Sequence, residues 1–305
     1  VTSTAEAILR GRARALTACL RAIDVRADAV AGDLVVTGVG ASEWPARVVA
    51  ALRPRARFVP LSAFVHEAPR ADALAVFSQA LSPNARLALD RAGTYARAVL
   101  FTSARDAAFG GTTVRLPEHG LDAIAEEKGT LVRVLGPCVA TLAAIAWSGA
   151  DADVEALCAA IESARVPGAG DLERRVVFVT AGGYGEICSG VATLWSEALY
   201  APRPQMVDVL GFAHGPFQEL YESSALVVAL ERPGEHDLFD RLGRMLVPER
   251  HELVRLRSQL TAPIASIDHF AQVLELVCRA LRAKPRDLRA WPGSGRDGPL
   301  YDLGG

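Results

Sequence analysis

The chain has 305 residues, half of them hydrophobic, which suits one large or two medium α/β domains with real cores. A formal net charge of −2 excludes a broad basic field for nucleic acid or an anionic membrane. The five cysteines (Cys19, Cys138, Cys158, Cys188, Cys278) have no CxxC spacing, so the expectation is buried thiols in a reducing, cytoplasmic compartment rather than a zinc site or a disulfide framework.

Val1 to Arg21 is arginine-rich and amphipathic, and the spacing of Ala7, Leu9, Ala15 and Leu16 predicts a folded helix rather than a signal or transit peptide. The longest apolar run, Val134 to Trp147, is interrupted by Gly136–Pro137 and is too short to span a bilayer. Strand-like runs then alternate with helical periodicity. Strands are expected at 33–37, 57–60, 74–78, 98–102 and 112–115, with helices at 43–52, from Pro83 to Ala92, and from about Glu127 to Trp147. The pattern restarts with a helix at 153–164, a linker-like stretch at 166–171, and strands at 175–180, 205–208 and 225–230. Helices are expected at 186–200, 237–246 and 268–281, with weaker strand candidates at 254–255 and 264–267.

Each half opens strand, glycine turn, helix. Pure runs of Val, Leu and Phe predict parallel sheets covered on both faces, hence two tandem doubly wound α/β/α subdomains at 25–150 and 168–283, a packed N-terminal helix at 1–24, and a C-terminal tail or lid at 284–305. Ligands bind such sheets beyond the carboxyl ends of their strands.

Several stretches fall on those edges. Gly38–Val39–Gly40–Ala41–Ser42 follows a strand, but Glu43 stands where a dinucleotide fingerprint needs glycine, and its charge opposes a pyrophosphate. Gly40 and Ser42 are left to hold a small anion or polyol, or Ser42 simply to cap the helix. Ser78, Gln79, Ser82 and Asn84 form a polar loop with the same two readings, Ser82 being a natural N-cap before Pro83. Glu127 precedes a helix and serves either its dipole or a ligand. Gly182–Gly185, with Gly183 at its centre, offers backbone N–H groups. Glu197 interrupts an otherwise apolar helix, where a carboxylate needs an arginine or a cleft. His214 lies in a turn fixed by Gly215 and Pro216, with His269 as a reserve candidate. No HxxxH or HExxH pair suggests a metal, and no cofactor is expected.

In order and spacing, Gly40–Ala41–Ser42, Phe77–Ser78–Gln79, Glu127–Lys128–Gly129, Ser196–Glu197 and Phe212–Ala213–His214–Gly215–Pro216 resemble the sugar isomerase (SIS) domain family in its double-SIS form, which includes the isomerase half of glucosamine-6-phosphate synthase. The resemblance covers about residues 25–291. It implies two flavodoxin-like subdomains, a homodimer with a shared active site, and serines of the first subdomain holding a phosphate. It gives the position of Glu197 to proton transfer between two sugar carbons, and that of His214 to ring opening, commonly from the partner subunit. The departures are specific. Ala41, Ala80 and Pro83 replace three hydroxyls of the family's phosphate-binding loops, which implies a smaller or differently placed anion, or a neutral sugar. Ala290 stands where the synthase has its imine-forming lysine, and Lys128 and Lys284 are the only lysines, so amination is disfavoured.

The expectation is an aldose–ketose isomerase acting on a sugar or sugar phosphate. Glu197 would carry a proton from C2 to C1 through an enediol(ate), its pKa raised by the apolar helix face, and His214 would open the ring. The alternatives are a non-catalytic sugar-phosphate sensor, or an isomerase, deglycase or lyase acting on an amino- or sulfo-sugar.

Overall fold

The computed structural model describes residues 4–105, 107, 109–117, 130–170, 172, 174–301 and 303. The chain divides into two compact units. One contains residues 15–152 and 288–305, the other residues 1–14 and 153–287.

In the first unit, β1 (Leu34–Thr37), β2 (Ala56–Phe58), β3 (Ala73–Phe77), β4 (Arg97–Thr102) and β5 (Thr112–Arg115) form a wholly parallel sheet in the order β2-β1-β3-β4-β5. Every residue of β1 and β3 is buried, as strands covered on both faces must be. One face carries Val35, Phe64, Leu74, Val76 and Leu100 in a single cluster. Helices α2 (Glu43–Leu52) and α4 (Leu135–Trp147) pack on each other, and all of α4 but Ala146 is buried. Full burial of each large apolar side chain contributes roughly 1.5–3 kcal/mol. A short α3 (Arg86–Leu89) lies between β3 and β4, flanked by 3₁₀ turns where a single helix from Pro83 to Ala92 was expected.

Helix α4 begins at Leu135, not near Glu127, and residues 130–134 are irregular. Pro137 explains this. Its ring lacks an N–H and would clash with the carbonyl of Arg133 in a continuous helix, so it is tolerated only in the first turn.

The second unit holds β6 (Arg175–Thr180), β7 (Gln205–Asp208), β8 (Ala225–Glu231) and β9 (His251–Arg257), again all parallel, in the order β7-β6-β8-β9. All seven residues of β8 are buried. Helix α5 (Val154–Ser163) is capped by Asp153, whose carboxylate accepts from Ala156 N–H at 2.9 Å. Helices α6 (Tyr184–Ile187) and α7 (Ser189–Leu199) divide the single helix expected there. Helix α7 packs on α10 (Ala265–Ala283), while Phe212 in the turn after β7, Leu220 of α8 (Pro216–Leu220), and Phe239 and Leu242 of α9 (His236–Met245) fill the core. The strand candidate at 264–267 is the start of α10, and the weak signal at 254–255 belongs to the seven-residue β9.

Helix α1 (Ala5–Arg21) contributes its residues up to Arg14 to this unit. There Glu6 bonds Arg10 and Arg282, and Arg10 bonds Glu275. The two guanidinium groups, Arg282 first, hold the Glu6 carboxyl down at about 2. All five cysteines are buried and free. Among the described residues no helix is long and apolar enough to cross a membrane. A four-residue α11 (Gly298–Tyr301) lies in the C-terminal segment.

The turn leaving β1 supplies a sharp test. A Cβ on Gly38 would lie 2.3 Å from the Ser42 carbonyl oxygen, whereas one on Gly40, at φ +59°, meets nothing within 4 Å. Gly38→Ala should therefore lower the urea unfolding free energy by about 2–4 kcal/mol, and Gly40→Ala by only about 1 kcal/mol. Equal losses would show that the close approach at Gly38 is not a constraint.

Candidate functional site

The first sheet changes direction between β1 and β3, whose chains leave toward opposite sides, and the crevice beyond their carboxyl ends is where such sheets bind ligands. Ser42 follows β1 there, and Ser78, Gln79 and Ser82 follow β3. Ser42 makes no side-chain cap bond to α2, so its hydroxyl is not spent on the helix. Ser82 likewise precedes Pro83 without a side-chain cap bond. The buried Ser78 hydroxyl accepts from Ser82 N–H at 3.2 Å, which closes the loop. The Gln79 carbonyl accepts from Ser103 N–H at 3.0 Å and from the Thr102 and Ser103 hydroxyls. Its side chain lies so close to α4 that a Cβ on Gly136 would fall 2.0 Å from Oε1. Gln79 Nε2 is buried and has no hydrogen-bond partner among the described residues.

Leu81, standing where the family's loop has glycine, adopts φ +52°. A left-handed Leu costs about 1 kcal/mol or more. Leu81 offsets that cost by packing against the Val35–Leu74 cluster, so the loop keeps a glycine-like backbone without the glycine. Asn84 is engaged otherwise. Its amide donates to the Leu300 carbonyl at 2.7 Å and its oxygen accepts from Leu303 N–H at 3.2 Å, which docks the C-terminal segment beside this loop. Glu127 lies outside the described residues.

In the second unit the turn after β6 carries Gly182 and Gly183 at φ +62° and +74°. Asp208, at the end of β7, ties it to the His214 turn by accepting from Gly182 N–H at 3.2 Å and Leu210 N–H at 2.9 Å. The His214 turn is clamped again by Gln218, which accepts from Gly215 N–H at 2.7 Å and donates to the Ala213 carbonyl at 3.0 Å. His214 itself is exposed. Gly183 and His214 therefore share the carboxyl edge of the second sheet. Glu197 does not join them. Strands β6 and β7 are parallel neighbours, so α7 must carry the chain back to the amino edge before β7 begins. Glu197, half-buried in the last turn of α7, sits at that opposite edge.

His269 is fully buried inside α10 and not at a strand end. Its Nε2 faces the Leu256 carbonyl at 3.1 Å, so that nitrogen carries the proton, and the Tyr184 hydroxyl donates to Nδ1 at 2.9 Å. Burial pushes its pKa down to about 4. Burial also raises the neighbouring Asp268 and carries the Cys188 thiol to about 12. Arg232 lies 4.1 Å over the Tyr184 ring and donates to the Ala181 carbonyl at 2.9 Å. Sequence patterning missed Asp208, Gln218 and Arg232, because each acts through a turn that only the sheet brings near.

No family model matches the chain, and no curated protein matches it by sequence. Solved structures do. The C-terminal domain of glucosamine-fructose-6-phosphate aminotransferase from Francisella tularensis superimposes with a TM-score of 0.65 at 10% identity, covering 93% of this chain and 96% of that one. Tagatose-6-phosphate ketose/aldose isomerase from Escherichia coli gives a TM-score of 0.60 at 14% identity, over 95% and 96% of the two chains. The neighbours are SIS-domain proteins, and the expected double-SIS fold with two parallel three-layer halves is what the chain adopts.

The buried His269 predicts a pH effect. Its folded pKa lies below that of the unfolded chain, so the unfolded state takes up the proton first. The stability this provides is complete above about pH 6.5 and is lost as pH falls toward 4, a change of roughly 3 kcal/mol. Urea titrations at pH 7.5 and 4.5 should show a smaller loss for His269→Gln than for the parent. An identical pH dependence would place the titration elsewhere.

Proposed function

We propose that the protein is an aldose–ketose isomerase of a sugar or sugar phosphate, working as a homodimer. The observation that carries this reading is the set of polar side chains at the switch point of the first sheet, where Ser42, free of a cap bond, and Gln79 lie in the loops that also hold Ser78 and Ser82. It occurs in a fold shared with tagatose-6-phosphate ketose/aldose isomerase. The crevice would receive the anionic or hydroxylated end of the sugar, and the C-terminal segment on Asn84 would serve as its lid.

Glu197 would move the proton between C2 and C1 through an enediol(ate), and His214 would open the ring by shifting a proton between O5 and O1. Within one chain these two groups stand at opposite edges of a sheet whose strand β7 alone spans roughly 10 Å. Both need hydrogen-bond reach of one sugar, so His214 would come from the partner subunit. Its exposure supports this, as does Leu210 in the same loop, 68% exposed. With Lys284 as the one lysine among the described residues, and placed beyond α10, the reaction needs no imine.

Two measurements test the reading. The parent should exchange deuterium from D₂O into C2 of an aldose or aldose phosphate it turns over, and Glu197→Gln should abolish that exchange. Unchanged exchange in Glu197→Gln would sink the mechanism. Mixing Glu197→Gln with His214→Ala chains should restore about a quarter of parent exchange, because half of the random dimers carry one intact site. No recovery would place both groups in one subunit's site.

A further inference from the structure

A second feature of the 153–287 unit lies away from the glycine turns, at the amino edge of its sheet. A cavity of about 1140 Å³ opens where β6 and β7 begin and where α7 and α10 end. Its floor is apolar, formed by Val176, Trp195 and Leu199. Around that floor stand six cationic side chains, Arg174, Arg175, Arg203, Arg279, Lys284 and Arg286, and none of its described lining residues is acidic.

The ordinary explanation is that these cations answer nearby carboxylates and helix ends. For part of the set it holds. Arg175 pairs with Glu219, and Arg174 approaches Glu252 at 3.9 Å. Arg279 binds Glu275 at 3.0 Å and the carbonyls of Pro167 and Val166 at 2.6 and 3.0 Å. The carboxyl ends of α7 and α10 each present about half a negative charge, which Lys284 is placed to answer. Arg203 and Arg286 are left over, with no carboxylate partner among the described residues. Arg203 is exposed, and the Arg286 guanidinium lies 5.8 Å from the centre of the Tyr200 ring. The Tyr200 hydroxyl donates to the Asp287 carbonyl, so the segment bearing Arg286 is pinned to the wall. Arg279 is held by three bonds and keeps N–H donors to spare, since a guanidinium has five.

We infer that this cavity binds a small molecule carrying adjacent phosphoryl groups, at a site separate from the proposed sugar crevice. Forked guanidinium groups match phosphoryl oxygens in geometry, and two uncompensated positive charges match a pyrophosphate better than a single carboxylate. The volume exceeds what inorganic pyrophosphate fills, so the apolar floor leaves room for an organic body such as a nucleobase. Glu197 does not line the cavity, although its helix neighbours Trp195 and Leu199 do.

Isothermal calorimetry on the full chain, with inorganic pyrophosphate and with ADP as separate titrants, tests the inference. Saturable binding of pyrophosphate is expected, weakened at least tenfold in Arg203→Ala and in Arg286→Ala and falling as salt is raised. Arg203 is exposed and bonds to no described residue, so its replacement leaves the fold intact, which circular dichroism checks. ADP binding tighter than pyrophosphate and competing with it supports the site and shows that the floor takes an organic body. Equal affinity supports a site for the phosphoryl groups alone. Deuterium exchange into a sugar should be the same in Arg203→Ala as in the parent, which separates this result from any failure of the isomerase reading. The inference is overturned if neither titrant binds at millimolar concentration, or if both variants bind as the parent does.

Discussion

Parallel pairing is the constraint from which the rest of this structure follows. Every strand pair in both sheets is parallel, so each strand must be followed by a return across a face of its sheet before the next begins. The returns bury the strands on both sides, which is why every residue of β1, β3 and β8 is buried and nearly all are apolar. They also gather all strand ends of one kind at one edge. Polar loops at the carboxyl edge can then come together although they are far apart in sequence, as those of Ser42 and Ser78 do.

The same constraint sends Glu197 and His214 to opposite edges. Only 17 positions separate them, yet a helix end and a strand lie between. A joint role is therefore a statement about assembly as much as about chemistry. The carboxyl edge of the second sheet is stiffened instead by hydrogen-bonded side chains. Neutral His269 joins Tyr184 to β9, and Asp208 holds two turns together. Tyr184 and His269 are buried, whereas Asp208 holds its two turns from an exposed position. His214 on one edge and Arg203 on the other face solvent.

Local signals were strong wherever a segment's fate depended on its own residues. The β6 and β7 boundaries, the β5 boundary and the span of α2 follow from apolar runs and their flanking turns. Boundaries failed where one residue's geometry overruled periodicity. Pro137 delays α4, and the stretch at 264–267 joins α10 although it reads as strand. The polar loop after β3 was legible at the carboxyl edge of its sheet, but the engaged amide of Asn84 and the unpartnered one of Gln79 were not, because both depend on distant partners. The six cations of the amino-edge cavity left only an excess of arginine in the composition, since their positions run from 174 to 286.

The sequence by itself determined the doubling of the fold, the parallel character of both sheets, and the residue types at each glycine turn, because burial periodicity and turn chemistry are local. Tertiary structure alone decided which of those residues share an edge. Edge assignment depends on the direction in which each crossover returns, and that direction is set by packing between segments that do not adjoin in the chain.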